Sequence, residues 1–302
     1  MLEIDGLTKR FGDLTALQDL SFDVREGEIF GFVGSNGAGK TTTMRIVMGV
    51  LAADRGQVRW AGAPLDFAVR RRIGYMPEER GLYPMMRLAE QVIYLARLHG
   101  MAAADARRAT GHWLKRLGLD ARADQEVQAL SHGNQQRAQL AAALVFEPGI
   151  LILDEPFAGL DPVAVDVMSG VLRERANSGV PVIFSSHQLD IVERLCDRVG
   201  IIRSGRLVAS GPVAELSRGG NERLWVDTPE ARAGWTEGLH GVSVVRGEGT
   251  RVLIELTQGS DDQAVLRQAL ATGPVREFRR DVPSLTELFR HVVSEPGEAE
   301  VQ

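Results

Sequence analysis

Only one cysteine, Cys196, occurs in the 302 residues, so no disulfide can form within the chain. That usage agrees with a reducing cytoplasm and removes disulfide-stapled frameworks and zinc modules built on Cys pairs. Long apolar runs are also missing. Residues 47–53 stop far short of the roughly 20 residues that span a bilayer. The opening MLEIDGLTKR carries acidic residues among its apolar ones and no basic segment leading into an apolar one, so no secretory leader is expected. Nor is there an excess of positive charge. Asp and Glu number 40 against 35 Lys and Arg, a net charge of -5, which argues against nucleic acid as the main partner because phosphate backbones attract clustered cations.

What is present is ordinary globular composition, 44% hydrophobic and 25% charged, which excludes disordered and fibrous classes. The length exceeds the roughly 100–200 residues typical of one domain, so two are predicted. Residues 27–33 read as a buried strand entering a glycine-rich turn, with a helix over 41–51 behind it. Further apolar strands over 150–153 and 180–185 end in Asp154-Glu155 and Ser186-His187. Strands that all finish in polar residues predict an α/β sheet with its site along that edge. Residues 89–119, rich in Ala, Leu and Arg, predict a helical lobe between them.

After a hairpin over 201–207 the composition turns polar, and Gly219-Gly220 marks a linker, which sets the first domain at 1–215 with its helical subdomain at about 85–145. Beyond it, strand 224–227, helix 229–239, strands 242–246 and 251–256, helix 261–271 and strand 275–279 follow one another. That β-α-β-β-α-β order predicts a small α+β ferredoxin-like domain over 216–293. A helix over 284–293 closes it, and the acidic tail 294–302 reads as disordered.

Three segments carry chemistry. Gly34, Ser35, Asn36, Gly37, Ala38, Gly39, Lys40 and Thr41 match G-x-x-x-x-G-K-[ST] between a strand and a helix. Glycines let backbone N–H groups approach phosphate oxygens, the helix N-terminus adds partial positive charge, and Lys40 reaches the terminal phosphates of a nucleotide. The Thr41 hydroxyl suits Mg²⁺, and Thr42 follows it in the same helical turn. Asp154 and Glu155 end an apolar strand, a pattern that delivers one carboxylate to a metal and another to a water; a solvated strand terminus looks the same in isolation. Ser131, before Gly133 and Asn134, opens a helix in N-cap position and offers a second anion-binding end, although capping alone explains a serine there.

Taken in order, these segments resemble the ABC ATPases, whose signature is L-S-G-G-Q followed by a D-loop and a switch histidine. Here the signature is Leu130-Ser131-His132-Gly133-Asn134, the D-loop Ala158-Gly159-Leu160-Asp161, and the histidine His187, and the agreement covers about residues 1–210. The resemblance implies a P-loop NTPase cassette, a RecA-like core plus helical subdomain. It implies ATP and Mg²⁺ as cofactors and a head-to-tail dimer with a second copy or a homologous ATPase subunit. In that dimer the loop 34–41 of one subunit and Ser131, Gly133 and Asn134 of the other enclose one ATP. Phe11 matches the aromatic that stacks on adenine, His187 the residue that contacts the γ-phosphate, Glu155 the base, and Asp161 a bridge between subunits. A lone Phe is otherwise a core residue, and a lone His a buried structural one.

The sequence departs from the family at Glu78, where most members carry a metal-touching Gln, and at His132 and Asn134 in the signature. A carboxylate still ligates a hard cation, so Glu78 joins Thr41 and Asp154 as a metal residue. With residues 81–84 and 283–289, these departures resemble the sodium-, drug- and antibiotic-efflux branch. That branch implies export through a separately encoded multi-span permease, with the chain held at the cytoplasmic face of the plasma membrane. Residues 82–86 would border the groove for a permease coupling helix, unless that loop faces the core. The alternative class, ABC-type ATPases acting on ribosomes or DNA, resembles fused double cassettes or cassettes split by coiled coils. This chain has one phosphate loop and no heptads between Gly34 and Ser131.

Overall fold

The computed structural model describes residues 1–79, 81–216, 222–230, 234–257, 259–281 and 285–286. The expected linker glycines Gly219 and Gly220, most of the expected helix over 284–293, and the tail 294–302 lie outside the described residues. The chain divides into two compact units, the first ending at Val213 and the second beginning at Ala214.

The first unit opens with β1 (Leu2–Phe11) and β2 (Leu14–Val24), whose buried Leu2, Ile4, Leu7, Leu17, Leu20 and Val24 point to one core. Strand β3 (Ile29–Val33) is buried at every residue, as a strand covered on both faces must be, and runs into α1 (Lys40–Met48). Strands β4 (Arg55–Trp60) and β5 (Ala63–Pro64) join β1 and β2 in an antiparallel sheet of order β2-β1-β4-β5. The short α2 (Phe67–Arg70) leads to β6 (Ile73–Met76).

A helical lobe follows, made of α3 (Leu88–Leu98), α4 (Ala103–Arg116) and α5 (His132–Leu144), which pack on one another. The helical stretch expected over 89–119 is made of two helices, α3 and α4. Gly100 at φ +91° adopts a left-handed turn that breaks it, where other residues are penalised. The chain then alternates through β7 (Ile150–Leu153), α6 (Pro162–Asn177), β8 (Val182–Ser186), α7 (Leu189–Leu195), β9 (Arg198–Arg203) and β10 (Arg206–Pro212), ending in the single turn α8 (Val213–Leu216).

The central sheet has the order β10-β9-β3-β8-β7-β6. All but β10 are parallel, so the carboxyl ends of β3, β8, β7 and β6 share one edge. No helix among the described residues is long and apolar enough to cross a membrane.

The second unit holds β11 (Glu222–Asp227), β12 (Val242–Glu248), β13 (Arg251–Leu256), α9 (Asp262–Thr272) and β14 (Glu277–Asp281). The sheet order is β12-β13-β11-β14, with every neighbouring pair antiparallel. Hence β11 and β12 run parallel with β13 inserted between them, the split arrangement of a ferredoxin-like unit. Its core is Leu224, Val226, Ile254 and Leu256 packed with Val265 and Ala269 of α9. The expected first helix over 229–239 is a correction: residues 229–230 and 234–240 form turns and a break, and 231–233 lie outside the described residues. Gly234 (φ +81°) and Gly238 (φ +89°) take left-handed conformations that no α-helix accommodates.

Close packing in the first unit fixes the chain's only thiol. Cys196 lies just after α7, and a Cβ built on Gly31 of β3 would stand 2.8 Å from its Sγ. Burial pushes the Cys196 thiol well above its ordinary range, so the thiolate is suppressed at neutral pH. In titrations with a disulfide reagent at mildly alkaline pH, the native chain is expected to leave Cys196 unlabelled, and denaturant to release one reactive thiol per chain. Rapid labelling of the native protein would contradict the packing.

Candidate functional site

The loop after β3 wraps around its own glycines. Gly37 (φ +79°) and Gly39 (φ +113°) take conformations that other residues adopt only with strain, and Gly39 is the N-cap of α1. Gly34 has no room for a side chain, since an added Cβ would come within 2.6 Å of the Ile202 carbonyl oxygen. Lys40, 6% exposed, donates from Nζ to the Gly34 carbonyl at 2.7 Å and the Ser35 carbonyl at 3.4 Å, curling back over the loop it follows. No carboxylate stands in the first turn of α1, so its free N–H groups face the loop without a competing negative charge.

Across from this loop, Asp154 and Glu155 leave the end of β7 and His187 leaves the end of β8. Both carboxylates are buried, Asp154 at 1% and Glu155 at 6% exposure, so they are no solvated strand terminus. Glu155 Oε1 lies 3.6 Å from Lys40 Nζ, and Glu155 Oε2 lies 2.9 Å from His187 Nδ1. The His187 side chain is 55% exposed, which rules out a buried structural histidine. Glu155 holds φ at +50°, a left-handed conformation unusual for a long side chain. Ser185 of β8 ties the pair together: its Oγ accepts from the Glu155 N–H at 2.8 Å and donates to Asp154 Oδ1 at 2.6 Å.

These elements enclose a cleft of about 460 Å³. Ser35, Asn36, Gly37, Gly39, Lys40, Thr41, Thr42, Asp154 and Glu155 line it, with Phe11 and Glu78 and with Leu14 and Ala16 of β2. Ala38 is buried behind the loop. Phe11 is 48% exposed at the end of β1, with Lys9 Nζ 5.5 Å from its ring centroid, so it presents an aromatic face rather than filling a core. Asp154 Oδ2 is buried and has no hydrogen-bond partner among the described residues, an expensive state for a carboxylate oxygen unless a cation takes it up. Together with the Thr41 hydroxyl and Glu78 it offers hard oxygen donors that fit Mg²⁺. Beside them, burial and the charge of Asp154 raise the Tyr75 phenol above its ordinary range, so it stays neutral.

A second group of expected residues lies outside this cleft. Ser131 caps α5, accepting from the Asn134 N–H at 3.4 Å, and Asp161 caps α6, accepting from the Ala164 N–H at 2.8 Å. Gly133 is partly exposed, whereas Asn134 is buried and accepts at Oδ1 from Arg137 Nη2 at 2.5 Å. His132 Nε2 donates to the Ala158 carbonyl at 3.1 Å, which joins the start of α5 to the loop before α6. The sequence reading passed over Leu14, Ala16 and Ser185, which reach the site through strand pairing rather than through a local motif.

Residues 17–158 match the ABC transporter family, and residues 211–293 match the C-terminal domain of DrrA1-3-like ATP-binding proteins. The uncharacterized ABC transporter ATP-binding protein YhaQ of Bacillus subtilis (strain 168) is 37% identical over 96% of this chain and 97% of its own length. The Nod factor export ATP-binding protein I of Paraburkholderia xenovorans (strain LB400) is 38% identical over 71% of this chain and 72% of that protein. The linearmycin resistance ATP-binding protein LnrL of Bacillus subtilis (strain 168) is 32% identical over 74% and 73%. A solved structure of the ATP-binding subunit of an ABC transporter superposes with a TM-score of 0.67, at 32% identity, over 72% of this chain and 92% of that one.

The loop geometry ranks its glycines. An alanine at Gly37 meets nothing within 4 Å and suffers only backbone strain, about 1–2 kcal/mol. At Gly39 the new Cβ would also stand 2.6 Å from Leu17 Cδ2 and 2.8 Å from the Ala16 carbonyl oxygen. Thermal unfolding is expected to place Gly39→Ala below Gly37→Ala, and both below the parent chain. The opposite order would show that the loop is held by something other than this contact.

Proposed function

Because this chain belongs to the ABC transporter family of ATP-binding proteins, whose cassettes bind and hydrolyse ATP, we propose that it energises export through a separately encoded multi-span permease. The observation that carries the site assignment is the meeting of Lys40 and Glu155 at 3.6 Å, beside the partnerless Oδ2 of Asp154, on the floor of one cleft. In this reading the N–H groups of residues 34–41 and the start of α1 cradle the phosphates of ATP. Lys40 exchanges its backbone carbonyls for the terminal phosphate oxygens, and Phe11 stacks on adenine.

Glu155 then takes a proton from the attacking water, and His187, already bonded to Glu155, contacts the γ-phosphate from its exposed side. Thr41, Asp154 and Glu78 would hold Mg²⁺, which would supply positive charge to the phosphate oxygens. Ser131, Gly133 and Asn134 serve the partner subunit's ATP in a dimer of two copies or of this chain with a homologous subunit, and Asp161 bridges the pair. Asn134 contributes there through its backbone, since its amide oxygen is bound to Arg137.

Export is supported by two relatives, one named for Nod factor export and one for linearmycin resistance. The permease contact is supported by a recess of about 240 Å³ lined by Leu82, Pro84, Val127, Gln128, Gln135 and Gln139. Leu82 is buried, while its neighbours Tyr83 and Met85 are 60% and 79% exposed. A permease segment seated there would hold the chain at the cytoplasmic face of the membrane. The ribosome- or DNA-directed alternative has no support among these relatives.

Glu155→Gln is expected to lower turnover about 100-fold or more while ATP binding and dimerisation persist. Steady-state hydrolysis with nucleotide binding and size-exclusion chromatography checks this, and normal turnover would sink the assignment of Glu155. Purification from membranes is expected to bring down a multi-span protein that stimulates hydrolysis. Recovery with ribosomes or DNA instead would replace the export reading.

A further inference from the structure

Ser185 carries no expected role, yet among the described residues it bonds to both carboxylate residues of the site. It lies on β8 between β3 and β7, opposite Phe32, and has no exposure to solvent. Leu153 pairs with Phe184, so Asp154 leaves the end of β7 alongside Ser185. The hydroxyl has one proton to give, and an ionised carboxylate can only accept, so the direction of each bond is fixed: Glu155 N–H to Ser185 Oγ, and Ser185 O–H to Asp154 Oδ1.

Each bond has a consequence for the neighbouring carboxylate. The first holds the backbone of Glu155, the residue at φ +50°, in a conformation that persists only where its surroundings enforce it. The second occupies Oδ1 of Asp154 and leaves Oδ2 as the oxygen without a partner, in the wall of the cleft. An apolar side chain at this fully buried position could neither accept from the amide nor donate to the carboxylate, whereas a hydroxyl does both.

We infer that Ser185 is a positioning residue for ATP hydrolysis, whose hydroxyl presents Asp154 Oδ2 to the cation and fixes the Glu155 backbone so that its carboxylate faces the water. The inference rests on the roles proposed above for Asp154 and Glu155, and it adds a group that touches neither substrate nor metal. Partners of this kind typically alter metal affinity or activity by about 10–100-fold.

The test uses the full chain with Ser185→Ala, which removes only the hydroxyl, and Ser185→Thr, which keeps one. For Ser185→Ala, kcat is expected to fall about 10-fold or more with KM for ATP changed less than about threefold. Independently of turnover, the Mg²⁺ concentration giving half-maximal binding of a fluorescent ATP analogue should rise about 10-fold, while binding of that analogue in chelator stays unchanged. Ser185→Thr should recover both readings toward the parent chain, and circular dichroism should show Ser185→Ala folded at the assay temperature. Unchanged kcat and Mg²⁺ dependence in folded Ser185→Ala would overturn the inference, as would equal loss in Ser185→Ala and a folded Ser185→Thr. Glu155→Gln in the same assays separates the two levels. If it abolishes turnover while Ser185→Ala does not, only the role of Ser185 falls; if it turns over normally, the reading beneath falls with it.

Discussion

Two carboxylates and an ammonium group sit nearly dry where β3, β7 and β8 end. Charges in such a place are destabilising unless each is answered by an opposite charge or a hydrogen bond, and the rest of the cassette can be understood as the means of answering them. Parallel pairing brings the three strand ends to one edge, so residues far apart in the chain meet within a few ångströms. Lys40 stands against Glu155, His187 against the other oxygen of Glu155, and Ser185 against Asp154. Among the described residues, Asp154 Oδ2 is answered by neither a hydrogen bond nor an opposite charge, and Asp154 lines the cleft.

Much of this was legible in the sequence for a definite physical reason. The phosphate loop depends on backbone conformations that glycine alone reaches easily, so Gly37 and Gly39 announce it wherever they fall between a strand and a helix. The carboxylates were visible because an apolar run, Ile150 to Leu153, ends abruptly in two charges. Phe11 and His187 could be placed only by resemblance, and their exposure then separated them from core residues. Ser185, Leu14 and Ala16 were not legible, because their importance lies in which strand runs beside which, and no local spacing encodes that. The pairing of β1 with β4 was missed for a similar reason, since it joins residues as far apart as Leu2 and Trp60.

The second unit shows the opposite balance. Its strands were legible from alternation, as the buried Leu224 and Val226 of β11 and Ile254 and Leu256 of β13 show. The first expected helix was not, because Gly234 and Gly238 take left-handed conformations within that stretch. The sheet still assembles in the split order, with buried residues of β11 and β13 packed under α9. A ferredoxin-like arrangement thus survives here with turns where a helix is usual.

The left-handed backbone at Glu155 has a meaning for anyone who would engineer this chain. A glycine at that position would relax the strain, and a procedure that scores sequences by folding stability alone would favour it. The same substitution would remove the carboxylate that Lys40 and His187 now meet. Stability and activity therefore pull in opposite directions at one φ angle, and a thermostabilised form of this ATPase should leave that residue strained.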